Sequence, residues 1–257
     1  MGLGAFQRLG VKVSQETRPP LYFTSLRWRN SRFELWESHL KRLEKSFLEL
    51  GLASTEVQDV LERIVAWKHS FWNEKDVAVR IECRLTEDLS GDFRFHTRAL
   101  DLKALPERVK LSFMPVDKAP YPGGELKVWA YDKIFQDLEK LQAQGFHDVV
   151  YLKKNGELLD ASTSNICLIQ DSVLYASVPG PGVLKGLYLE RFLQVAQDLG
   201  YTVERRNLYQ ADVESADSLL LTNCLKGVRL AEGIEKSYDD SLLWKARIDE
   251  IERLMHE

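Results

Sequence analysis

One stretch near the middle of the chain constrains the fold more than any other: Asp117-Lys118-Ala119-Pro120-Tyr121-Pro122-Gly123-Gly124. Two prolines and a glycine pair in so short a window stop any helix or strand that runs into them. The chain therefore reads as two domains, a small N-terminal one at residues 1–116 and a larger one at 125–257, with a linker at 117–124. At 257 residues it is long enough to bury one large core or two smaller ones.

Hydrophobic periodicity makes both halves mixed. In the first, residues 21–28 read as a strand followed by a turn at Asn30-Ser31. Residues 33–50 read as a helix whose apolar face is Trp36, Leu40, Leu43, Phe47 and Leu50, stopped by Gly51. A second helix is expected over 55–72, with Ser54 or Thr55 as its N-cap. Residues 77–85 and 93–97 read as a hairpin around Ser90-Gly91-Asp92, and 109–115 as another strand. In the second half, helices are expected over 129–143, from Lys185 to about Leu199, and over 242–255. Strands are expected over 148–152, 164–169, 173–175, 201–205 and 217–222. The fold class is α+β: a small N-terminal α/β domain, then a larger domain with a barrel-like or open mixed sheet.

A net charge of −4 disfavours nucleic acid as the main partner. The three cysteines, Cys83, Cys167 and Cys224, lie far apart, with neither metal-type spacing nor an even-numbered framework. Their apolar or strand-like settings predict buried thiols. No apolar run reaches membrane-spanning length. The N-terminal octet, Met1 to Arg8, does not read as a signal peptide, so a reducing cytoplasm is the expected compartment.

Chemistry is suggested first between Asp160 and Gly186. A polar run, Asp160-Ala161-Ser162-Thr163-Ser164-Asn165, leads into a strand pair, then Pro179-Gly180-Pro181-Gly182, then Val183-Leu184-Lys185-Gly186 opening a helix. Such a chain can hold a ligand with a cationic and an anionic end. The N–H groups of a helix start bind phosphate, and a carboxylate holds a protonated nitrogen. Lys127, just after the glycine pair, is placed to reach a cleft and to act as an amine nucleophile toward an aldehyde. Arg42 lies off the apolar stripe of its helix, with no carboxylate three or four residues away, and suits a bidentate phosphate contact. Taken one at a time, each residue has an ordinary reading: a solvated lysine, a solvated arginine, a turn aspartate, a plain helix start.

Together they resemble the fold-type-IV pyridoxal-phosphate enzymes, the class IV aminotransferase family. The resemblance runs from about Tyr22 to Val228 in the family's order. Phe23-Thr24-Ser25-Leu26-Arg27 is similar to the early Phe-Glu-Thr-(Leu/Ile)-Arg strand. His39-Leu40-Lys41-Arg42-Leu43 resembles the His-x-x-Arg-Leu phosphate motif. Leu126 to Tyr131 resembles the segment with the Schiff-base lysine. Asp160 to Ile166 resembles the Glu-x-x-x-x-Asn-(Ile/Val/Leu) signature. Leu184-Lys185-Gly186-Leu187 resembles the phosphate turn, and Thr222-Asn223-Cys224-Leu225 the strand end closing the phosphate site.

The resemblance implies pyridoxal 5'-phosphate as cofactor, with Lys127 forming the Schiff base and shuttling the substrate proton. It implies Asp160 at the pyridine nitrogen, and Arg42, Gly186, Leu187, Tyr188, Asn223 and Cys224 around the phosphate. Phe23, Ser25 and Arg27 alternate on one strand face, and Arg27 would bind a substrate carboxylate if that face is the pocket. No metal is implied. The substrate would be a small amino-acid-like molecule, and the chain would work as a homodimer.

Departures are visible. Asp160 replaces the usual glutamate, Thr24 stands where glutamate is common, Ala130 where asparagine is, and Tyr188-Leu189 where threonine and arginine are. Pro20-Leu21-Tyr22 replaces the usual Gly-Asp-Gly, and no Arg-Gly loop stands out near Arg84. The compact length and Asn223-Cys224-Leu225-Lys226-Gly227-Val228 lean toward 4-amino-4-deoxychorismate lyase, which releases pyruvate and p-aminobenzoate for folate synthesis. The alternatives are a branched-chain or D-amino-acid aminotransferase, and a non-catalytic member that keeps the fold for binding or assembly.

Overall fold

The computed structural model describes residues 21–49, 51–85, 91–120, 123–127, 131–232 and 241–256. The N-terminal octet, Leu50, Ser90, Tyr121, Pro122 and residues 128–130, on which expectations were placed, lie outside the described residues. The chain forms two compact units, one of Met1–Leu100 with Glu125–Trp129, the other of Asp101–Gly124 with Ala130–Glu257.

The first unit is an antiparallel sheet in the order β2-β1-β3-β4, formed by β1 (Leu21–Arg29), β2 (Arg32–Phe33), β3 (Val77–Leu85) and β4 (Gly91–Ala99). Asn30 and Ser31, at φ 50° and 61°, make the two-residue loop that closes the Arg29–Arg32 pair. Two positive φ values match the twist of a tight hairpin. Because Phe33 is used in β2, the first helix, α1 (Trp36–Glu49), starts three residues later than periodicity predicts. The second helix, α2 (Ser54–Ser70), is capped by Ala53 rather than by Ser54 or Thr55. The Glu56 carboxylate accepts the Ala53 N–H at 2.7 Å.

Strand alternation sorts this sheet cleanly. Tyr22, Leu26 and Trp28 of β1, and Val77, Val79, Ile81 and Cys83 of β3, share one core with Trp36, Leu43 and Phe47 of α1 and Val57, Val60 and Ile64 of α2. Burying one such large side chain contributes about 1.5–3 kcal/mol. Trp67 of α2 stacks on Phe95 with ring centroids 4.1 Å apart. Phe23, Ser25 and Arg27 lie on the opposite face, paired across to Glu82, Arg80 and Ala78.

The second unit holds an eight-stranded mixed sheet in the order β10-β9-β8-β11-β12-β5-β6-β7. Its strands are β5 (Val109–Val116), β6 (Asp148–Lys153), β7 (Leu158–Ala161), β8 (Asn165–Gln170), β9 (Val173–Ala176), β10 (Thr202–Arg205), β11 (Ser218–Asn223) and β12 (Gly227–Glu232). Its helices are α3 (Tyr131–Gln142), α4 (Leu187–Asp198), α5 (Gln210–Ser215) and α6 (Ser241–Met255). Leu158 and Ala161, at one end of the strand order, share a core with Ile166 and Leu168, five places away, so the sheet curls on itself. Cys167, Ile169 and Leu220, on the outer face of β8 and β11, pack against Phe192 of α4 and Trp244 of α6. Strands covered on both sides read as continuous apolar runs.

Three elements here go beyond the sequence reading: β7, β12 and α5. The expected boundary at residue 116 also differs from the packing. β5 pairs with β6 and β12 in the larger sheet rather than joining the first unit. Nor is the glycine pair loose. Gly124 N–H donates to Val183 O at 2.8 Å and Lys185 N–H to Gly124 O at 2.7 Å, while a Cβ at Gly123 would lie 2.0 Å from Gly180 O. Among the described residues no helix is long and apolar enough to cross a membrane.

Candidate functional site

Each unit gathers part of the expected residue set. In the first, Arg42 is not the solvated arginine its sequence position suggests: it is 3% exposed, on the same buried stripe of α1 as His39 and Ser46. Its Nη2 donates to Thr24 Oγ1 at 2.5 Å, and Thr24 Oγ1 lies 2.5 Å from His39 Nδ1. Thr24 is fully buried and His39 is 1% exposed. Burial holds the His39 imidazole well below its ordinary pKa, and the charges of Arg42 and then Lys127 push the same way. His39 is therefore neutral at physiological pH.

Lys127 is positioned by its neighbours in the chain. Ser46 Oγ, which donates to Arg42 O at 2.8 Å, lies 3.3 Å from Glu125 O, and Lys45 Nζ pairs with Glu125 at 3.3 Å. Leu126 is buried in the core of the first unit, and Phe23 N–H donates to Lys127 O at 3.1 Å. The segment thus lies along β1 with Leu126 turned inward. The Lys127 ammonium sits 5.0 Å from the Phe23 ring centroid, and the Arg80 guanidinium 4.7 Å from that same ring. A cation over a ring face is attracted by its quadrupole. Ser25 is half-buried beside Phe23. Arg27, the candidate for a substrate carboxylate if its strand face is the pocket, pairs with Asp76 at 3.2 Å.

In the second unit Asp160 is 4% exposed and belongs to β7, not to a loop. Its Oδ2 accepts from Asn165 Nδ2 at 2.9 Å and from Leu184 N–H at 2.7 Å. Asn165 Nδ2 also donates to Leu184 O at 2.7 Å. Asp160 N–H donates to Gly182 O at 3.0 Å, next to the turn Gly180-Pro181-Gly182-Val183, which closes with two hydrogen bonds between Gly180 and Val183. The carboxylate and the start of α4 are thereby joined. Gly186 caps α4, and a Cβ there would lie 1.8 Å from Asn165 Oδ1, so only glycine fits. Leu187 and Tyr188 follow, both buried in the helix's first turn, whose N–H groups have no acceptor within the helix.

Asn223 and Cys224 stand at the β11–β12 loop. Asn223 Nδ2 donates to Thr163 O, and Asn223 Oδ1 accepts the Leu225 N–H at 2.8 Å. Glu252 of α6 ties this loop to the helix start: its Oε1 accepts from Tyr188 OH at 2.5 Å and from Val228 N–H at 2.8 Å. Of the three cysteines, Cys83 and Cys167 are buried, but Cys224 is half-exposed, against expectation, because the loop carries it to the strand end. Burial pushes the Cys167 thiol up to about 12.

Motif reading left the roles of His39, Asn165 and Glu252 unassigned. Asn165 carries a signal, its place five residues after the acid. Glu252 carries none, since its partners lie 24 and 64 residues away.

The chain is similar to several known proteins. A branched-chain-amino-acid aminotransferase of Arabidopsis thaliana is 27% identical over 110 residues, 41% of this chain and 28% of that protein. A Thermotoga maritima relative described as a probable branched-chain-amino-acid aminotransferase is 28% identical over 196 residues, 74% of this chain and 68% of that one. The match therefore spans less than a third of the plant protein and about two thirds of the bacterial one. Among solved structures, a Brucella abortus aminotransferase bound to PLP superposes with a TM-score of 0.75 at 20% identity, covering 92% of this chain and 89% of that one. A Legionella pneumophila protein provisionally described as a 4-amino-4-deoxychorismate lyase superposes with a TM-score of 0.70 at 18% identity, covering 92% and 90%. The family profile described as amino-transferase class IV matches residues 21–234, most of the chain. The chain belongs to the class IV aminotransferase family.

Proposed function

We propose that this chain is a pyridoxal-phosphate enzyme working on an amino-acid-like substrate, and more narrowly that it cleaves 4-amino-4-deoxychorismate to pyruvate and p-aminobenzoate. The observation that carries the cofactor reading is the burial of Arg42, 3% exposed and hydrogen-bonded to Thr24 of β1, in the same compact unit as Lys127, whose ammonium lies over the ring of Phe23 on that strand. The donor set fits the cofactor. A buried guanidinium suits a phosphate, an amine suits an aldehyde, and a buried carboxylate suits a pyridinium.

In this reading Arg42 would bind the phosphate, a role the family resemblance also gives to the N–H groups of Leu187 and Tyr188 and to Asn223 and Cys224. Asp160 holds a proton on the ring nitrogen, with Asn165 and the Leu184 N–H fixing the carboxylate. Lys127 anchors the aldehyde carbon and then moves the proton at the substrate carbon bearing nitrogen. Bound pyridoxal phosphate supplies the electron sink for that carbon. For cleavage, the electron pair released there expels the enol of pyruvate from the neighbouring carbon, and the remaining ring becomes aromatic p-aminobenzoate.

The lyase reading is supported by the Asn223–Val228 segment; the solved structures of similar coverage include both kinds of protein. Aminotransfer to a keto acid is the second reading, favoured by the Thermotoga relative. The test is turnover of 4-amino-4-deoxychorismate without any keto acid. Equal amounts of pyruvate and p-aminobenzoate over many turnovers support the lyase. No release, with turnover of a branched-chain amino acid that requires a keto acid, overturns it for the aminotransferase. The proposal includes a homodimer, for which the mass in solution is the check.

A further inference from the structure

We propose that Thr24 and His39 are positioning residues that set the direction in which Arg42 presents its guanidinium to a phosphate. The inference rests on the reading of Arg42 as the phosphate ligand. A guanidinium only donates, so Thr24 Oγ1 accepts from Arg42 Nη2 at 2.5 Å. Thr24 Oγ1 also lies 2.5 Å from His39 Nδ1. Burial keeps the His39 ring neutral. Arg42 Nη2, which can only donate, lies 3.4 Å from the same Nδ1, so the neutral ring places its lone pair there and its proton on Nε2. The Thr24 hydroxyl hydrogen is then given to Nδ1, and the row runs from Arg42 to Thr24 to His39. Among the described residues His39 Nε2 is buried without a hydrogen-bond partner. Members of the family commonly carry glutamate where this chain has Thr24. A carboxylate would take the same hydrogen bond and bring a charge of its own, whereas the Thr24 hydroxyl orients the guanidinium without adding one.

The test compares pyridoxal phosphate with pyridoxal, which lacks the phosphate, binding to the cofactor-free chain. Thr24→Val is expected to weaken pyridoxal phosphate by about tenfold or more, as for a lost hydrogen bond to a charged group, and to leave pyridoxal within about twofold. Thr24→Ser, which keeps the hydroxyl, restores binding. A second pair covers the case in which Thr24→Val does not fold: His39→Leu weakens pyridoxal phosphate selectively, and His39→Asn, whose amide oxygen replaces Nδ1, restores it. Parallel loss of both ligands in the Thr24→Val and His39→Leu variants would make the cluster merely structural and overturn the inference, as would no loss of either. Arg42→Ala separates the two levels. If it removes the preference for pyridoxal phosphate while the Thr24 and His39 variants do not, positioning fails and the phosphate reading stands. If Arg42→Ala leaves the preference intact, both fail.

Discussion

Asp160 is one methylene shorter than the family's glutamate, and one of its oxygens, Oδ2, is held twice: Leu184 N–H donates to it at 2.7 Å and Asn165 Nδ2 at 2.9 Å. That hold depends on Gly186, where a Cβ would collide with Asn165 Oδ1. Gly186→Ala is therefore expected to destabilise the fold by about 1–3 kcal/mol, as overpacking does, read from urea unfolding, with cofactor affinity falling too. Cys224 makes a second residue-scale prediction. In the folded, cofactor-free chain a thiol reagent such as Ellman's should titrate Cys224 first, since Cys83 and Cys167 are buried. Bound cofactor should slow that reaction, and three equivalents should react only after denaturation. Residues inside spaced motifs, Arg42 and Asp160 among them, were legible because a motif records a spacing that survives without knowledge of packing. The burial of Arg42 was not legible. It follows from Thr24, eighteen positions away, and no periodicity within α1 encodes a partner on β1.

At the scale of elements, α6 acts as a clasp. Glu252 joins the start of α4 to the β11–β12 loop through Tyr188 OH and Val228 N–H. Tyr188→Phe removes one of those bonds and leaves a partly buried carboxylate short of a donor. The expected cost is about 1.5–3 kcal/mol of stability, measured in urea, with a loss of phosphate-dependent cofactor affinity that truncation of a surface tyrosine would not cause. Most elements were legible because their periodic runs are long, as in α1, α2 and α4. The exceptions have particular causes. In β7 a charged residue, Asp160, interrupts a strand of only four, so the segment reads as a polar turn. In β12, Arg229 and Glu232 break the apolar pattern, and six-residue α5 is too short to display helical spacing. The membership of β5 was hidden because parallel pairing with β6 is a long-range choice that local sequence does not state.

For the whole molecule, the buried imidazole makes stability depend on pH. His39 titrates below its ordinary 6.5 when folded, so the unfolded chain binds more protons in acid. Its contribution is fully present above pH 6.5 and is lost as pH falls from there toward the lowered value, by up to about 1.4 kcal/mol per pH unit. Asp148 acts in the opposite sense, because burial raises its pKa and the folded state holds that proton more tightly. Comparing unfolding free energies of the wild type and His39→Leu between pH 7 and 5 isolates the histidine: the wild type should lose more stability over that range. The central claim is that this chain binds pyridoxal phosphate and holds it through Lys127. Its most direct measurement is chemical. The cofactor-free chain is loaded with pyridoxal phosphate, reduced with borohydride, digested and mapped. The account predicts one modified peptide carrying the cofactor on Lys127, absent in Lys127→Ala and diminished in Arg42→Ala and Asp160→Asn. A chain that takes up no cofactor, or that carries it on another lysine, would contradict it.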